Sequence, residues 1–320
     1  MTKVLISDRT HEVLEQKLRE AGIEVSVEPG HDYESLIAAT QGYDGLVVRS
    51  KVIVDEAFID RVPSLRCIGR VGAGMETIDV VYAYEKGVRC VNSPEGNRDA
   101  VGEHAVGLLL SLLNNIARAD AEVRRGLWRR EENRGYELGN LTVGIIGFGN
   151  MGRAFAKRLS GFGCRVIYYD RYLDPMLDFL KNLEIKLENI ERVSLETIQA
   201  EADVVSFHVP LTGETRHYLD AEFIGLMDKP FFLLNTSRGA VVDTVALVEG
   251  LKKGKVRGAA LDVLEYEDMT KDGLGDVPAP MQYLLQSDRT VLTPHVAGWT
   301  VESKYKLAAV LADKMISVLK

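Results

Sequence analysis

Four stretches of this 320-residue chain combine residue types that can do chemistry. Residues 142–159, TVGIIGFGNMGRAFAKRL, place Gly147, Gly149 and Gly152 in the spacing G-x-G-x-x-G, with Asn150 and Met151 in its variable positions. The other three are LLNTSRGAVVD (233–243), GAALDVLEYED (258–268) and LTPHVAGW (292–299). Each opens on a strand pattern and carries charged or titratable residues at or beyond its end: Arg238, then Asp262 and Glu267, then His295. In open α/β sheets that edge is where ligands bind. Transfer of a hydride to or from a nicotinamide needs an acid/base group for the hydroxyl proton. It also needs a fixed cation to polarise the carbonyl or hold a carboxylate, and donors that orient the acid. A histidine and an arginine at strand ends are the types that this chemistry uses.

The glycine motif gains weight from its surroundings. A buried strand, VGII, precedes it, a helix, MGRAFAKRLSGFG, follows it, and RVIYYD then ends in Asp170. The first glycine allows a tight turn, the second lets the backbone approach a pyrophosphate, and the third lets helix and strand pack closely. The unpaired N–H groups of the helix start favour phosphate there. A carboxylate at Asp170 can accept from both ribose hydroxyls and repels a 2′-phosphate, so NAD is expected over NADP, although the adjacent Arg171 softens that preference.

The elements that must hold these residues read as two α/β series. Short apolar runs alternate with helical patterns from residue 4 to 92 (VLIS, IEVSVE, GLVVR, LRCIGRVG, RCVN). A second series starts at Leu141 (LTVGIIG, CRVIYYD, DVVSFHV, FFLLNTS, VRGAALDV, TVLTPH), and one helix closes the chain. Such alternation is the sequence form of a parallel sheet with helices on its faces. The expected fold is therefore α/β: two doubly wound parallel-sheet domains, with a Rossmann NAD domain (98–293) inserted into a flavodoxin-like substrate domain (1–97 plus 294–320). The stretch AVGEHAVGLLLSLLNNIARA is apolar nearly all round and must be covered, either between the domains with a share in a dimer contact or simply within a core.

Composition excludes several classes. The net charge of −8 argues against a nucleic-acid binder. Three cysteines, Cys67, Cys90 and Cys164, are too few for a disulfide framework and form no C-x-x-C pair, so they read as small hydrophobes. No cluster has metal-ligand spacing. The amino terminus turns polar after one short strand, unlike a signal peptide, and the longest apolar run (106–113) is too short to span a membrane, so a cytoplasmic location is expected.

The order G-x-G-x-x-G, H-x-P-L-T, N-T-S-R-G, D-V-x-x-x-E and T-P-H-x-x-G resembles the D-isomer-specific 2-hydroxyacid dehydrogenase family, most closely its short phosphoglycerate dehydrogenase branch. RVGAGMETID (70–79) and GLW (126–128) extend the match over nearly the whole chain. The resemblance implies that His295 is the general acid/base, that Glu267 bonds its imidazole and favours the charged ring, and that Arg238 clamps the substrate's carboxylate and carbonyl. It implies that Val71, Gly72, Ala73 and Gly74 offer backbone N–H groups to the substrate carboxylate, with Arg49 and Ser50 facing the same cleft. On the cofactor side it places His208, Val209, Pro210, Thr236, Ser237, Asp262 and Gly298 beside NAD, together with Arg238 and His295. Two features depart from the pattern: Asp268 stands where the family has proline, and KDGLGDVPAP (271–280) is longer or more polar than usual.

The implied partner is a small anionic 2-hydroxy or 2-oxo acid, and a homodimer is expected. For 3-phosphoglycerate, Arg49, Arg70, Arg129 and Arg130 are candidate phosphate contacts, the last two across a dimer interface. Glu76 beside the substrate loop adds negative charge, which keeps glyoxylate, hydroxypyruvate or another 2-oxo acid open. A non-catalytic NAD-sensing protein of the same fold is a further alternative, whereas a formate dehydrogenase is disfavoured because it needs glutamine where Glu267 stands. As the sequence stops at Lys320 without the extra domain of longer phosphoglycerate dehydrogenases, serine feedback through such a domain is not expected. A hinge is expected near Asn97 and Pro294.

Overall fold

The computed structural model describes residues 1–172, 190–267 and 277–320. In chain order the elements begin β1 (Lys3–Ile6), α1 (Val13–Glu20), β2 (Glu24–Val27), α2 (Tyr33–Ala39), β3 (Gly45–Val48), α3 (Glu56–Arg61), β4 (Cys67–Arg70), α4 (Val80–Glu85), β5 (Arg89–Asn92) and α5 (Pro94–Leu113). They continue with α6 (Ile116–Arg124), β6 (Thr142–Ile146), α7 (Asn150–Leu159), β7 (Arg165–Tyr169), β8 (Ile190–Arg192), α8 (Leu195–Glu201), β9 (Val204–Phe207) and α9 (Ala221–Leu226). The last are β10 (Phe231–Asn235), α10 (Thr244–Lys252), β11 (Val256–Leu261), α11 (Ala279–Gln286), β12 (Thr290–Leu292) and α12 (Val301–Leu319). The chain divides into two compact units, Met1–Asp99 with Trp299–Lys320, and Ala100–Gly298.

The first unit holds a parallel sheet in the order β2-β1-β3-β4-β5, the flavodoxin-like winding. Each apolar run of the first series forms one of its strands. The aspartates between those runs start helices: Asp32, Asp55 and Asp79 each accept a backbone N–H three residues on, satisfying donors that the first helical turn leaves open. The closing helix, α12, buries Ala308, Leu311, Ala312, Met315 and Leu319 against Val4, Ile6, Leu14, Leu18 and Val47 of this unit. Cys67 lies in the same core, and burial pushes its thiol up to about 12.

In the second unit the described strands form a parallel sheet in the order β12-β11-β10-β9-β6-β7-β8. The order reverses at β6, where successive crossovers leave in opposite directions. β9 and β10 are buried throughout, as expected of strands with helices on both faces. β8 is absent from the strands expected on sequence. It is three residues long, on the sheet edge and largely exposed, so Ile-Glu-Arg carries no apolar run to announce it. The apolar stretch of α5 buries Ala105, Leu108, Leu109, Leu112 and Leu113 beside Val143, Ile145 and Phe155. Among the described residues, no single helix is long and apolar enough to cross a membrane.

Candidate active site

The glycine turn follows β6 directly. Gly147 has φ +89°, and a Cβ there would lie 2.8 Å from Val209 Cγ1 and 2.9 Å from the His208 carbonyl oxygen. Only glycine meets both the backbone angle and the approach of the neighbouring loop. A Cβ on Gly152 would strike the Gly147 carbonyl oxygen, whereas one on Gly149 meets nothing within 4 Å. The turn is thus packed at its first and third glycines and open over its second, the shape that a pyrophosphate needs above the start of α7. Asn150 and Met151 form the first residues of that helix.

Asp170, just beyond β7, holds this turn. Its Oδ2 accepts the Phe148 N–H at 2.7 Å and its Oδ1 accepts the Tyr172 N–H at 3.0 Å. Arg171 is ion-paired with Glu214, which opposes its use by a 2′-phosphate.

The next two strand ends supply His208, Val209 and Pro210 after β9, and Thr236, Ser237 and Arg238 after β10. His208 is buried, its Nε2 is 2.8 Å from Ser206 Oγ, and burial pushes its pKa down to about 3. It therefore stays neutral near neutrality and is unsuited to proton uptake. Its Nδ1 and the buried Thr236 Oγ1 have no protein partner among the described residues. Such atoms require a partner. The Arg238 turn is built on Asn235, which is fully buried: its Oδ1 accepts from Ser237 N and Oγ, and its Nδ2 donates to the Arg238 carbonyl at 2.9 Å. Gly239 packs so closely that a Cβ would strike the Leu264 carbonyl. The turn presenting Arg238 and the turn carrying Glu267 are consequently stacked backbone on backbone.

His295 and Glu267 meet, with Nδ1 3.0 Å from Oε1 and both side chains partly exposed. The pair is assembled by Asp262, at the end of β11. Its Oδ1 accepts from Thr293 Oγ1 at 2.6 Å and from Val296 N at 2.9 Å, and its Oδ2 accepts from Ala297 N at 2.9 Å. The Asp262 carbonyl also accepts the His295 N–H at 2.8 Å. Burial of Asp262 pushes its pKa up, but His104, Thr293 and the Ala297 and Val296 N–H groups outweigh that and hold it below the usual carboxylate range. His295 itself sits at φ +54°, a conformation that a side chain with a Cβ adopts at a cost of order ~1 kcal/mol. Asp262 thus ties residues 295–297 to the second unit, and the chain re-enters the first only at Trp299.

In the first unit, residues 71–74 follow β4. Val71 N bonds the Val48 carbonyl at 3.0 Å, Gly72 exchanges bonds with Ser93, and Asn92 Nδ2 donates to the Ala73 carbonyl at 2.5 Å. The Arg70 guanidinium lies across Gly72. At the end of β3, Arg49, next to Ser50, lies over the Trp299 ring, 5.4 Å from its centroid. Asp268 and most of the 271–280 loop fall outside the described residues.

Two contributors escape a reading of the sequence. His104 on α5 places Nε2 3.0 Å from Thr293 Oγ1 and 3.4 Å from Asp262 Oδ1. His217, at φ +53°, bonds Glu265 at 2.6 Å, and Glu265 also accepts the Thr244 N–H at the start of α10. Both histidines lie far from their partners in sequence, and no local motif marks either pair.

A parallel sheet that reverses order at the strand before a glycine turn, with an acid at the next strand end, defines a dinucleotide-binding α/β protein. The particular family follows: the chain belongs to the D-isomer specific 2-hydroxyacid dehydrogenases, whose NAD-binding-domain model matches residues 106–297. It is 36% identical over 320 residues to a D-3-phosphoglycerate dehydrogenase of Methanocaldococcus jannaschii, covering 100% of this chain and 58% of that one. Over 291 residues it is 36% identical to a glyoxylate reductase of Thermofilum pendens, covering 90% and 81%. Among solved structures, a D-lactate dehydrogenase from Aquifex aeolicus complexed with NAD and lactic acid superposes with a TM-score of 0.80 at 27% identity, covering 98% of this chain and 93% of that one. The chain thus spans little more than half the length of the phosphoglycerate dehydrogenase that it matches.

Proposed function

We propose that the protein is an NAD-dependent dehydrogenase that moves a hydride between the cofactor and a small 2-hydroxy or 2-oxo acid, with 3-phosphoglycerate and phosphohydroxypyruvate as the leading pair. The 3.0 Å contact of His295 with Glu267, in the unit that carries the glycine turn, is the observation that carries this reading. Bound NAD supplies the hydride acceptor and, reduced, the donor. Gly147, Gly149, Asn150, Met151 and Gly152 hold the pyrophosphate, Asp170 the ribose, and His208 to Pro210, Thr236 to Arg238, Asp262, His295 and Gly298 line the rest of the nucleotide site.

Glu267 accepts from Nδ1 of His295, which leaves Nε2 to take the hydroxyl proton on oxidation and return it on reduction. Arg238 holds the substrate's carboxylate and carbonyl oxygen with its planar fork. In the first unit, Ser50 and the N–H groups of Ala73 and Gly74 are the donors for the acid, because those of Val71 and Gly72 are taken by Val48 and Ser93, and Arg49 and Arg70 are the cations for a distal phosphate. The arginines beside the 71–74 loop and the phosphoglycerate dehydrogenase aligned over the whole chain support the phosphorylated pair. Glyoxylate or hydroxypyruvate reduction is the second reading, favoured by the larger share of the glyoxylate reductase that the chain covers.

An assay at 340 nm with NADH and phosphohydroxypyruvate, hydroxypyruvate, glyoxylate and pyruvate decides between them. Turnover of phosphohydroxypyruvate supports the first reading, turnover of only the unphosphorylated acids supports the second, and NADH binding without turnover of any refutes both. We also propose a homodimer. Ile116, Val123, Trp128 and Tyr136 expose 53, 52, 79 and 46% of their surfaces in the segment that follows α5. Sedimentation as a monomer at micromolar concentration refutes the dimer.

A further inference from the structure

The loop that carries His295 hangs on two residues from distant parts of the second unit, His104 and Asp262. Thr293 Oγ1 donates to Asp262 Oδ1, so its proton is committed and its lone pairs are what remain for His104. The 3.0 Å contact between His104 Nε2 and Thr293 Oγ1 is then a donation from the ring nitrogen. This fixes a relay: His104 N–H to Thr293 O–H to the Asp262 carboxylate. The same carboxylate receives Val296 N and Ala297 N, and the Asp262 carbonyl receives His295 N. His104 is 26% exposed and Asp262 1%. Among the described residues, His104 from α5, Asp262 from the end of β11, and Glu267 against the His295 ring are ionisable groups that meet the loop.

We propose that His104 is a positioning residue for His295, fixing through Thr293 and Asp262 the left-handed turn that presents the acid/base ring. This rests on the reading of His295 as the proton-transfer group. His104 itself touches neither substrate nor cofactor in this role. Its N–H donates to Thr293 Oγ1, which turns the threonine proton onto Asp262 Oδ1 and so completes the carboxylate shell that holds both N–H groups of the loop. A left-handed residue relaxes unless its surroundings determine it, and the relay is what determines it here.

The test compares His104→Phe, which keeps a ring but removes the donor, with His104→Gln, whose amide nitrogen reaches the Nε2 position. In His104→Phe, kcat on the best acid of the panel falls about 3- to 10-fold, the rate equivalent of one neutral hydrogen bond, while NADH affinity holds. His104→Gln recovers to within about 2-fold. The second readout is the Cε1–H resonance of His295 in the protein without cofactor: it shifts or splits in His104→Phe and returns in His104→Gln. Thr293→Val breaks the same relay one link on and must change that resonance in the same way, which keeps the test decisive if His104→Phe does not fold. Wild-type kcat and resonance in both His104→Phe and Thr293→Val overturn the proposal, and so does equal impairment in Phe and Gln, which makes the effect ring packing rather than donation. If the unaltered protein turns over none of the acids, the acid/base reading falls. The resonance alone then decides whether His104 positions the loop.

Discussion

Replacing Asp262 with asparagine isolates what a single carboxylate does for the loop at residues 293–297. The side chain keeps its shape and loses its charge and one acceptor. With the amide oxygen in the place of Oδ1, which serves Thr293 and Val296, the amide nitrogen faces the Ala297 N–H, donor against donor. Ala297 is 3% exposed, so its N–H is left buried without a partner, at ~1–3 kcal/mol. The two remaining bonds fall from charge-assisted to neutral strength, and the sum for loop opening is about 2–4 kcal/mol. At about 1.4 kcal/mol per tenfold this speeds amide exchange at Val296 and Ala297 by about 30-fold to about 10³-fold. Hydrogen exchange read by mass spectrometry or NMR measures it directly, and kcat falls with it. The effect has a defined pH range. The Asp262 carboxyl is held below its ordinary value when folded, so its contribution is complete above the unfolded value of about 3.9 and is lost only as pH falls through the folded one. The gap between wild type and Asp262→Asn therefore closes as the carboxyl takes up its proton in stronger acid. Exchange within twofold of wild type at pH 7 refutes the assignment of Asp262 as the anchor of this loop.

Further outcomes follow from the same geometry. His295→Ala lowers kcat by a factor on the order of 10² to 10⁴, while NADH still binds in a fluorescence titration; near-normal turnover removes His295 from its role. His208, held neutral by burial with a pKa of about 3, binds its proton only on unfolding, so stability falls as pH drops below the ordinary value of about 6.5. His208→Gln removes that dependence, and the difference in unfolding free energy between the two proteins changes by about 2 kcal/mol between pH 7 and pH 5. Gly147→Ala places a Cβ 2.8 Å from Val209 Cγ1 at a positive φ and abolishes measurable NADH binding at micromolar concentration, which equilibrium dialysis checks. Glu214→Ala releases Arg171 from its ion pair and raises the ratio of NADPH to NADH use several-fold in steady-state kinetics.

The dinucleotide turn was legible because its demands are local. Strand, glycines, helix and Asp170 occupy one run of chain, and Gly147 and Gly152 sit where the backbone approaches too closely for any side chain. The same holds for the strands, whose apolar runs are set by burial on both faces. What stayed hidden is contact between distant segments. The motif marks Asp262 as a residue beside the cofactor but gives no sign that its side chain holds the backbone of residues 296 and 297. His104 reads as one more residue on an apolar helix, yet it meets a threonine 189 positions away. The left-handed backbone of His295 has no signature, because the usual signal for it is glycine. β8 escaped for the opposite reason: an edge strand of Ile-Glu-Arg buries too little to show a pattern.

The boundary after Gly298 has an engineering consequence. Residues 100–298 form one uninterrupted piece of polypeptide that contains the glycine turn, the Arg238 turn, the His295–Glu267 pair and the Asp262 shell. The remaining unit is made from the two ends of the chain. A graft of this central segment between the corresponding ends of a homologue therefore transfers the His295–Glu267 pair and its Asp262 support together with two junctions, one inside α5 and one between Gly298 and Trp299. Recognition of the acid, to the extent that it resides in residues 49–74, stays with the recipient. Cuts at these two points keep residues 293–298 with Asp262, whereas a cut at Pro294 severs His295 from the residue that holds its loop.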